Sequence, residues 1–332
     1  MVNPEFDIRP TILVGDTADV SFQRTLTVLR NEGINPMVTM EFSPKNSGIF
    51  SGIKEVRALL GKVLPETGSE VWALEEGSSL SAKETALRIT APYGSLGLYE
   101  TTISGILASS SGWATAAKEC CDAARETAVV SLAARHVHPN VAANIDYSAV
   151  IGGCQSCSTI LGARLAGITP SGNIPHALPL ILGDSVLAIQ AFDKHMPLEV
   201  PRIAVVDTFK DEAEESVNVA QALREKLRGV RLDTPKERGG VTADLVREVR
   251  ARLDLAGFRH VEIFVSGGFT PQRINDFVEN SVPVDGFGVG SYISSAPPND
   301  FTADIHEIDE KAISKRGRIP GPTTNPRLDR IM

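Results

Sequence analysis

At 332 residues the chain is long enough for one large or two ordinary domains, and its 42% hydrophobic and 22% charged residues are those of a soluble globular protein. A formal net charge of −8 argues against a nucleic-acid partner, which usually selects a basic field. No apolar run reaches membrane-spanning length, and Glu5, Asp7 and Arg9 stand where a signal peptide would be apolar, so no membrane partner and a cytoplasmic location are expected.

Asp19 to Arg30 has helical periodicity and stops at Gly33, a natural C-terminal cap. Val38 to Phe42 reads as a strand, Gly52 to Leu60 as a helix, and Val71 to Leu74 and Ala86 to Thr90 as further strands. From Tyr99 the composition turns to small residues, predicting two helices, Glu100 to Ala108 and Trp113 to Ala134, split at Ser110, Ser111 and Gly112. Cys120 and Cys121 are adjacent, and Cys154 and Cys157 form a single C-x-x-C. One such spacing without a second is a poor zinc signal, so reduced, mostly buried thiols are expected.

A helix-like run, Ser156 to Leu165, leads into Gly167 to Ala177, where two Pro, two Gly and an Asn make a shaped loop. This loop presents His176 just before the apolar run Ala177 to Leu182. A lone loop histidine is more often a structural hydrogen-bonder than a catalyst, so its neighbours must decide its role.

The second half repeats one unit four times. Ile203 to Val206 ends in Asp207, and Val230 to Leu232 ends in Asp233. Val261 to Val265 ends in Ser266-Gly267-Gly268, and Val284 to Phe287 runs into Gly288-Val289-Gly290-Ser291. The first three are followed by helical patterns, through Val217 to Leu227, Leu245 to Leu253, and Ile274 to Phe277. Such alternation is that of a β/α barrel, though a doubly wound sheet would show it too. In a barrel the strand ends share a rim. Glycines there let backbone N–H groups close on phosphate, and the two aspartates can hold ribose hydroxyls or Mg²⁺. Either aspartate could instead cap its following helix, and the acidic run Asp211 to Glu215 reads as a solvated helix start.

Gly172–Ala177, Val205–Glu212, Val230–Pro235, Val265–Gly268 and Gly288–Ser291 occur in this order. With Thr17–Thr25, Tyr99–Leu107 and Lys315–Arg318 they span almost the whole chain. Together they resemble the archaeal-type branch of the nicotinate phosphoribosyltransferases. The resemblance implies an α/β protein of the type II phosphoribosyltransferase fold. Residues 1–110 would form an N-terminal α/β sandwich, 111–295 an irregular β/α barrel of about seven strands, and 296–332 a tail returning to the sandwich. It implies transfer of 5-phosphoribosyl from phosphoribosyl pyrophosphate to nicotinate, with Mg²⁺ bound alongside the donor. In the family a second subunit completes the site, so a homodimer or higher homo-oligomer is implied. ATP hydrolysis can drive turnover through a phosphorylated histidine, which His176 matches.

On this reading His176, Asp207 and Asp233 are catalytic. Ser266, Gly267, Gly268, Gly288, Gly290 and Ser291 hold phosphate. Arg135, His136, Ser21, Asn173 and Gln155 surround the base, with Arg135 suited to the pyridine carboxylate because guanidinium binds carboxylate bidentately. The base side departs from the family pattern. Ser21 stands where members carry a stacking Tyr, and His136 replaces the second Arg of an Arg pair. Asn173 replaces Thr, and Gln155-Ser156 stands for Asp-Gly. Two alternatives follow: transfer to another aromatic acid, including quinolinate with decarboxylation, or a non-catalytic nucleotide-binding paralogue. The retained His176, Asp207 and Asp233 count against the paralogue.

Overall fold

Residues 6–172 and 174–332 are described by a computed structural model. In chain order the early strands are β1 (Met37–Pro44), β2 (Gly48–Ile49), β3 (Glu70–Ala73), β4 (Ser79–Leu80) and β5 (Leu87–Pro92). There follow β6 (Ala128–Ser131), β7 (Ser156–Cys157), β8 (Ile203–Val205), β9 (Gly229–Leu232), β10 (Glu262–Val265) and β11 (Gly286–Val289). The last three are β12 (Phe301–Ile308), β13 (Lys311–Ala312) and β14 (Asp329–Arg330).

The first sheet has the order β13-β12-β1-β5-β3-β14, with every pairing antiparallel. Two of its three C-terminal strands, β12 and β14, therefore pair with strands more than 250 positions earlier, and β13 extends the edge beyond β12. β5 buries Leu87, Ile89 and Ala91 on alternate positions, the period of a sheet with one face on a core. β1 is covered on both faces, so Thr39 and Glu41 are buried too and must be bonded. Glu41 accepts from Arg88 Nε at 2.7 Å, Thr85 Oγ1 at 3.0 Å and the Thr323 N–H at 2.9 Å, which pins the tail to the sheet.

The second sheet is wholly parallel and runs β7-β6-β11-β10-β9-β8. The steps β6 to β7 and β8 through β11 all run the same way across the sheet, so the strand order has no reversal of winding and the doubly wound alternative is excluded. The barrel has six strands among the described residues, against about seven expected, and is open between β7 and β8. The loop from Gly167 stands at this opening. It hangs from β7 by the Ser171 N–H on the Cys157 carbonyl at 2.9 Å and by Ser156 Oγ on the Thr169 carbonyl at 3.0 Å. Phe269, Phe277 and Phe287 meet in the barrel core with ring centroids 5.2–6.4 Å apart, Phe277 edge to face with both others and Phe269 tilted against Phe287.

Glu100–Ala124 is one continuous helix, not two. Ser110, Ser111 and Gly112 do not break it; they are where it packs closest. The Ser111 hydroxyl bonds to the Ser51 backbone, and a Cβ on Gly112 would lie 2.4 Å from the Pro297 carbonyl. The helical reading to Ala134 also overran. The chain leaves the helix at Arg125, with φ +54°, and Ala128–Ser131 alternates in burial as strand β6. Likewise Ser156–Cys157 is strand, and the helix Ile160–Ala166 starts only after Thr159, whose hydroxyl caps it.

Candidate active site

His176 Nε2 lies 3.0 Å from Asp207 Oδ2, so the loop at the opening is tied to the end of β8. Where the Asp207 oxygen is the acceptor, the proton of this bond sits on Nε2, and Nδ1 has no bond among the described residues. The Asp207 side chain is 2% exposed and that of His176 35%. The bond to Asp207 raises the imidazole above its ordinary pKa, and partial burial opposes it. Asp207 Oδ1 is buried without a partner among the described residues. A buried carboxylate oxygen with no donor is an incomplete arrangement, and a ligand hydroxyl or a metal-bound water would complete it.

Neither aspartate caps a helix. Asp211 caps Glu212–Leu223 and Thr242 caps Ala243–Leu255, which leaves Asp207 and Asp233 to face the barrel mouth. Asp233 Oδ1 accepts from Ser266 Oγ at 2.8 Å, and Oδ2 from Arg231 at 2.8 Å. Arg231 also donates to Ser266 Oγ at 3.0 Å. The ends of β9 and β10 are thereby locked together.

The two glycine segments differ. Gly267 and Gly268 have φ of +95° and +71°, are exposed, and a Cβ there would meet nothing nearer than 3.4 Å. Their need for glycine is backbone conformation. Their carbonyls are drawn back by Arg273, at 2.7 and 3.4 Å, and that guanidinium stacks on Phe269. The turn's N–H groups have no protein acceptor among the described residues, the disposition an anion site requires. Gly288 and Gly290 instead have no room. Added Cβ atoms would lie 2.7 Å from Leu132 Cδ1 and 2.9 Å from His136 Nε2, respectively. They let the segment Ala133–His136 pack on β11, and Ser291 opens a short helix beyond them.

The residues assigned to the base are dispersed. Arg135 and His136 follow β6 on the exposed rim, and Arg135 makes no ion pair among the described residues. The Gln155 side chain accepts from the Val129 N–H at 2.8 Å, ahead of β7, so it braces the start of the strand pair, away from the β7 end that carries the loop. Ser21 is exposed on the helix Val20–Asn31, which packs on the first sheet's core through Leu26 and Leu29. Asn173 lies outside the described residues.

Several residues escaped the sequence reading. Arg231 precedes by two Asp233, the first residue beyond β9, and continuing the strand's period of two puts them on the same face, where they bond. Asp146 is fully buried in the helix Ala142–Ile151 and accepts from Ser131 Oγ, Ser158 N–H and Thr159 N–H, joining the ends of β6 and β7. Glu212 and Glu215 overturn the solvated helix start: they are 2% and 3% exposed. The acidic run is split, with Asp211 and Glu214 outside and these two inside. The thiols agree with expectation, with Cys120, Cys154 and Cys157 buried and all four free. No cluster of three or more metal-ligating side chains occurs among the described residues, and no helix there is long and apolar enough to cross a membrane.

An open parallel barrel joined to a separate antiparallel sheet, with carboxylates and a glycine turn at its strand ends, is the type II phosphoribosyltransferase fold. A solved structure of nicotinate-nucleotide pyrophosphorylase from Pyrococcus furiosus shares it at a TM-score of 0.86 and 40% identity, over 97% of this chain and 82% of that one. The chain belongs to the quinolinate phosphoribosyl transferase family, whose N-terminal domain matches residues 19–111 and whose C-terminal domain matches 113–304. Human nicotinic acid phosphoribosyltransferase has the same fold, at a TM-score of 0.73 and 17% identity over 92% of this chain and 77% of its own. A nicotinate phosphoribosyltransferase of Mycobacterium tuberculosis is 32% identical over 252 residues, 74% of this chain and 53% of its own. That of Bacillus subtilis is 25% identical over 75% of this chain and 50% of its own, so the chain spans about half the length of the curated relatives it matches.

Proposed function

We propose that the protein transfers the 5-phosphoribosyl group from phosphoribosyl pyrophosphate to nicotinate, giving nicotinate mononucleotide and pyrophosphate in NAD biosynthesis. The observation that carries this reading is the single rim that bears the His176–Asp207 pair, Asp233 bonded to Ser266 and Arg231, and the Gly267-Gly268 turn. Displacing pyrophosphate leaves an oxocarbenium-like ribose, so catalysis is positioning and charge stabilisation, the work of fixed carboxylates and oriented N–H groups. The free Asp207 oxygen would take a ribose hydroxyl or a water of the Mg²⁺ shell. Mg²⁺ would arrive with the diphosphate and offset its charge, as fits a rim whose described residues offer carboxylates but no cluster of three ligands.

The free Nδ1 of His176 is the atom that would accept phosphate from ATP, and only a neutral ring would serve. Arg135 would hold the pyridine carboxylate. A second copy of the chain would complete the base side, bringing Ser21 and its helix to the rim. Transfer to quinolinate with loss of CO₂ is the second reading, favoured by the family models and by the name of the Pyrococcus protein. Quinolinate carries one more negative charge than nicotinate. Arg231, a cation already on the rim, is taken by Asp233, so the monoanion suits this site better.

Purified protein given phosphoribosyl pyrophosphate, Mg²⁺ and either acid decides the matter. Pyrophosphate release with nicotinate supports the main reading. Release only with quinolinate, with CO₂ in equal amount, replaces it, and release with neither acid removes both.

A further inference from the structure

The first turn of the helix Glu212–Leu223 holds two buried carboxylates that the proposed reaction does not use directly. Three residues apart, Glu212 and Glu215 share one helix face and both are buried. A carboxylate withdrawn from water must be bonded to stay there. Glu215 accepts from the Thr208 N–H at 3.0 Å, the Phe209 N–H at 3.2 Å and the Ser185 hydroxyl at 2.7 Å. These donors belong to two separate segments. Thr208 and Phe209 directly follow Asp207, while Ser185 opens the helix that comes next after the short one starting behind His176. One carboxylate thus fastens both halves of the His176–Asp207 pair. Glu212 does the same for the neighbouring loop, accepting at 2.8 Å from the hydroxyl of Thr234, the residue after Asp233.

We propose that Glu215 and Glu212 are positioning residues: one helix turn that sets His176 and Asp207 against each other and fixes Asp233 beside them. The kinetic part of the test rests on the phosphoribosyl-transfer reading, and the spectroscopic part does not. Displacing reacting groups by about 1 Å can cost on the order of 10²-fold in rate, so such ties matter out of proportion to their number.

Glu215→Gln keeps the shape but turns an amide donor towards a backbone N–H. Ser185→Ala removes only the tie to the His176 segment and changes no charge. The imidazole N–H proton of His176, sheltered from exchange by Asp207, is followed by NMR, and pyrophosphate release gives kcat and KM. Ser185→Ala should broaden that resonance and lower kcat about tenfold, and Glu215→Gln should abolish it and lower kcat on the order of 10²-fold, with KM for phosphoribosyl pyrophosphate little changed. Glu212→Gln should keep the resonance and raise that KM instead. Should Ser185→Ala and Glu215→Gln retain the wild-type resonance and kcat, the proposal is overturned. It also fails if all three variants merely melt earlier with no split between kcat and KM. A wild-type protein that releases no pyrophosphate would remove the reaction but leave the resonance to decide the clamp.

Discussion

The barrel rim has two halves of different construction. Across β8, β9 and β10, His176, Asp207, Arg231, Asp233 and Ser266 each bond to a neighbour, and the loops that carry them are tied from below by Glu212 and Glu215. Across β6 and β11, Arg135 stands exposed, His136 lies over Gly290, and Ser21 is on a helix of the other sheet's layer. A linked network holds its geometry before any ligand arrives, whereas isolated exposed side chains must be ordered by the ligand or by a second chain. In the proposed reaction the linked half handles the sugar phosphate, whose chemistry needs exact charge placement, and the open half handles the base.

The largest effect should come from cutting the linked half at its centre. Asp207→Asn removes the charge facing His176 and the free oxygen, and should lower kcat for pyrophosphate release on the order of 10²–10³-fold. A loss below tenfold would mean that the linkage is structural only. Gly268→Val comes next. At φ +71° a side chain adds about 1–2 kcal/mol of strain, and on the proposed reading its bulk stands where phosphate approaches. Calorimetry should show phosphoribosyl pyrophosphate binding weakened about tenfold or more, corresponding to at least about 1.4 kcal/mol. Unchanged affinity would reduce the loop to a turn. Gly290→Ala should act differently: the sequence assigns Gly290 to phosphate, but an added Cβ would displace His136, so on the proposed reading the change should disturb the base more than the donor.

The third test uses pH. The folded pKa of His176 lies above its unfolded value, so the stability gained from its bond is fully present below the unfolded value, about 6.5, and is lost as pH rises through the raised folded value. The melting-temperature advantage of the wild type over His176→Asn should therefore be largest near pH 6 and shrink in alkali. Labelling from γ-labelled ATP should run the opposite way, rising as Nδ1 becomes part of a neutral ring. An acid-labile label that ignores pH, or that survives in His176→Asn, would point to another acceptor. The smallest effect belongs to the open half. Ser21→Tyr with His136→Arg should lower the KM for nicotinate several-fold, in line with about 0.5–1.5 kcal/mol for an aromatic contact, and leave the donor's KM alone. If nicotinate already binds tightly to the unaltered protein, the base side is complete without them.

The strand–helix units of the second half were legible because each strand ends where an apolar run meets Asp207, Asp233 or a glycine pair, and that pattern is local. The continuity of Glu100–Ala124 was not. Ser110, Ser111 and Gly112 look like a break in one dimension, and only the approach of Ser51 and Pro297 shows them to be contact points. Glycines that looked alike proved to have two reasons, positive φ at Gly267 and Gly268 and crowding at Gly288 and Gly290.

By itself the sequence determined the order of elements and the chemical groups at the strand ends, since periodicity and turn chemistry act over a few residues. The tertiary structure decided that the sheet closes through β6 and β11 rather than winding both ways. It also decided that His176 meets Asp207, 31 positions on, and that of one acidic run Glu212 and Glu215 turn inward while Asp211 and Glu214 do not. The reason is physical. A carboxylate's worth depends on whether donors from distant segments converge on it out of water, and no local pattern records that convergence.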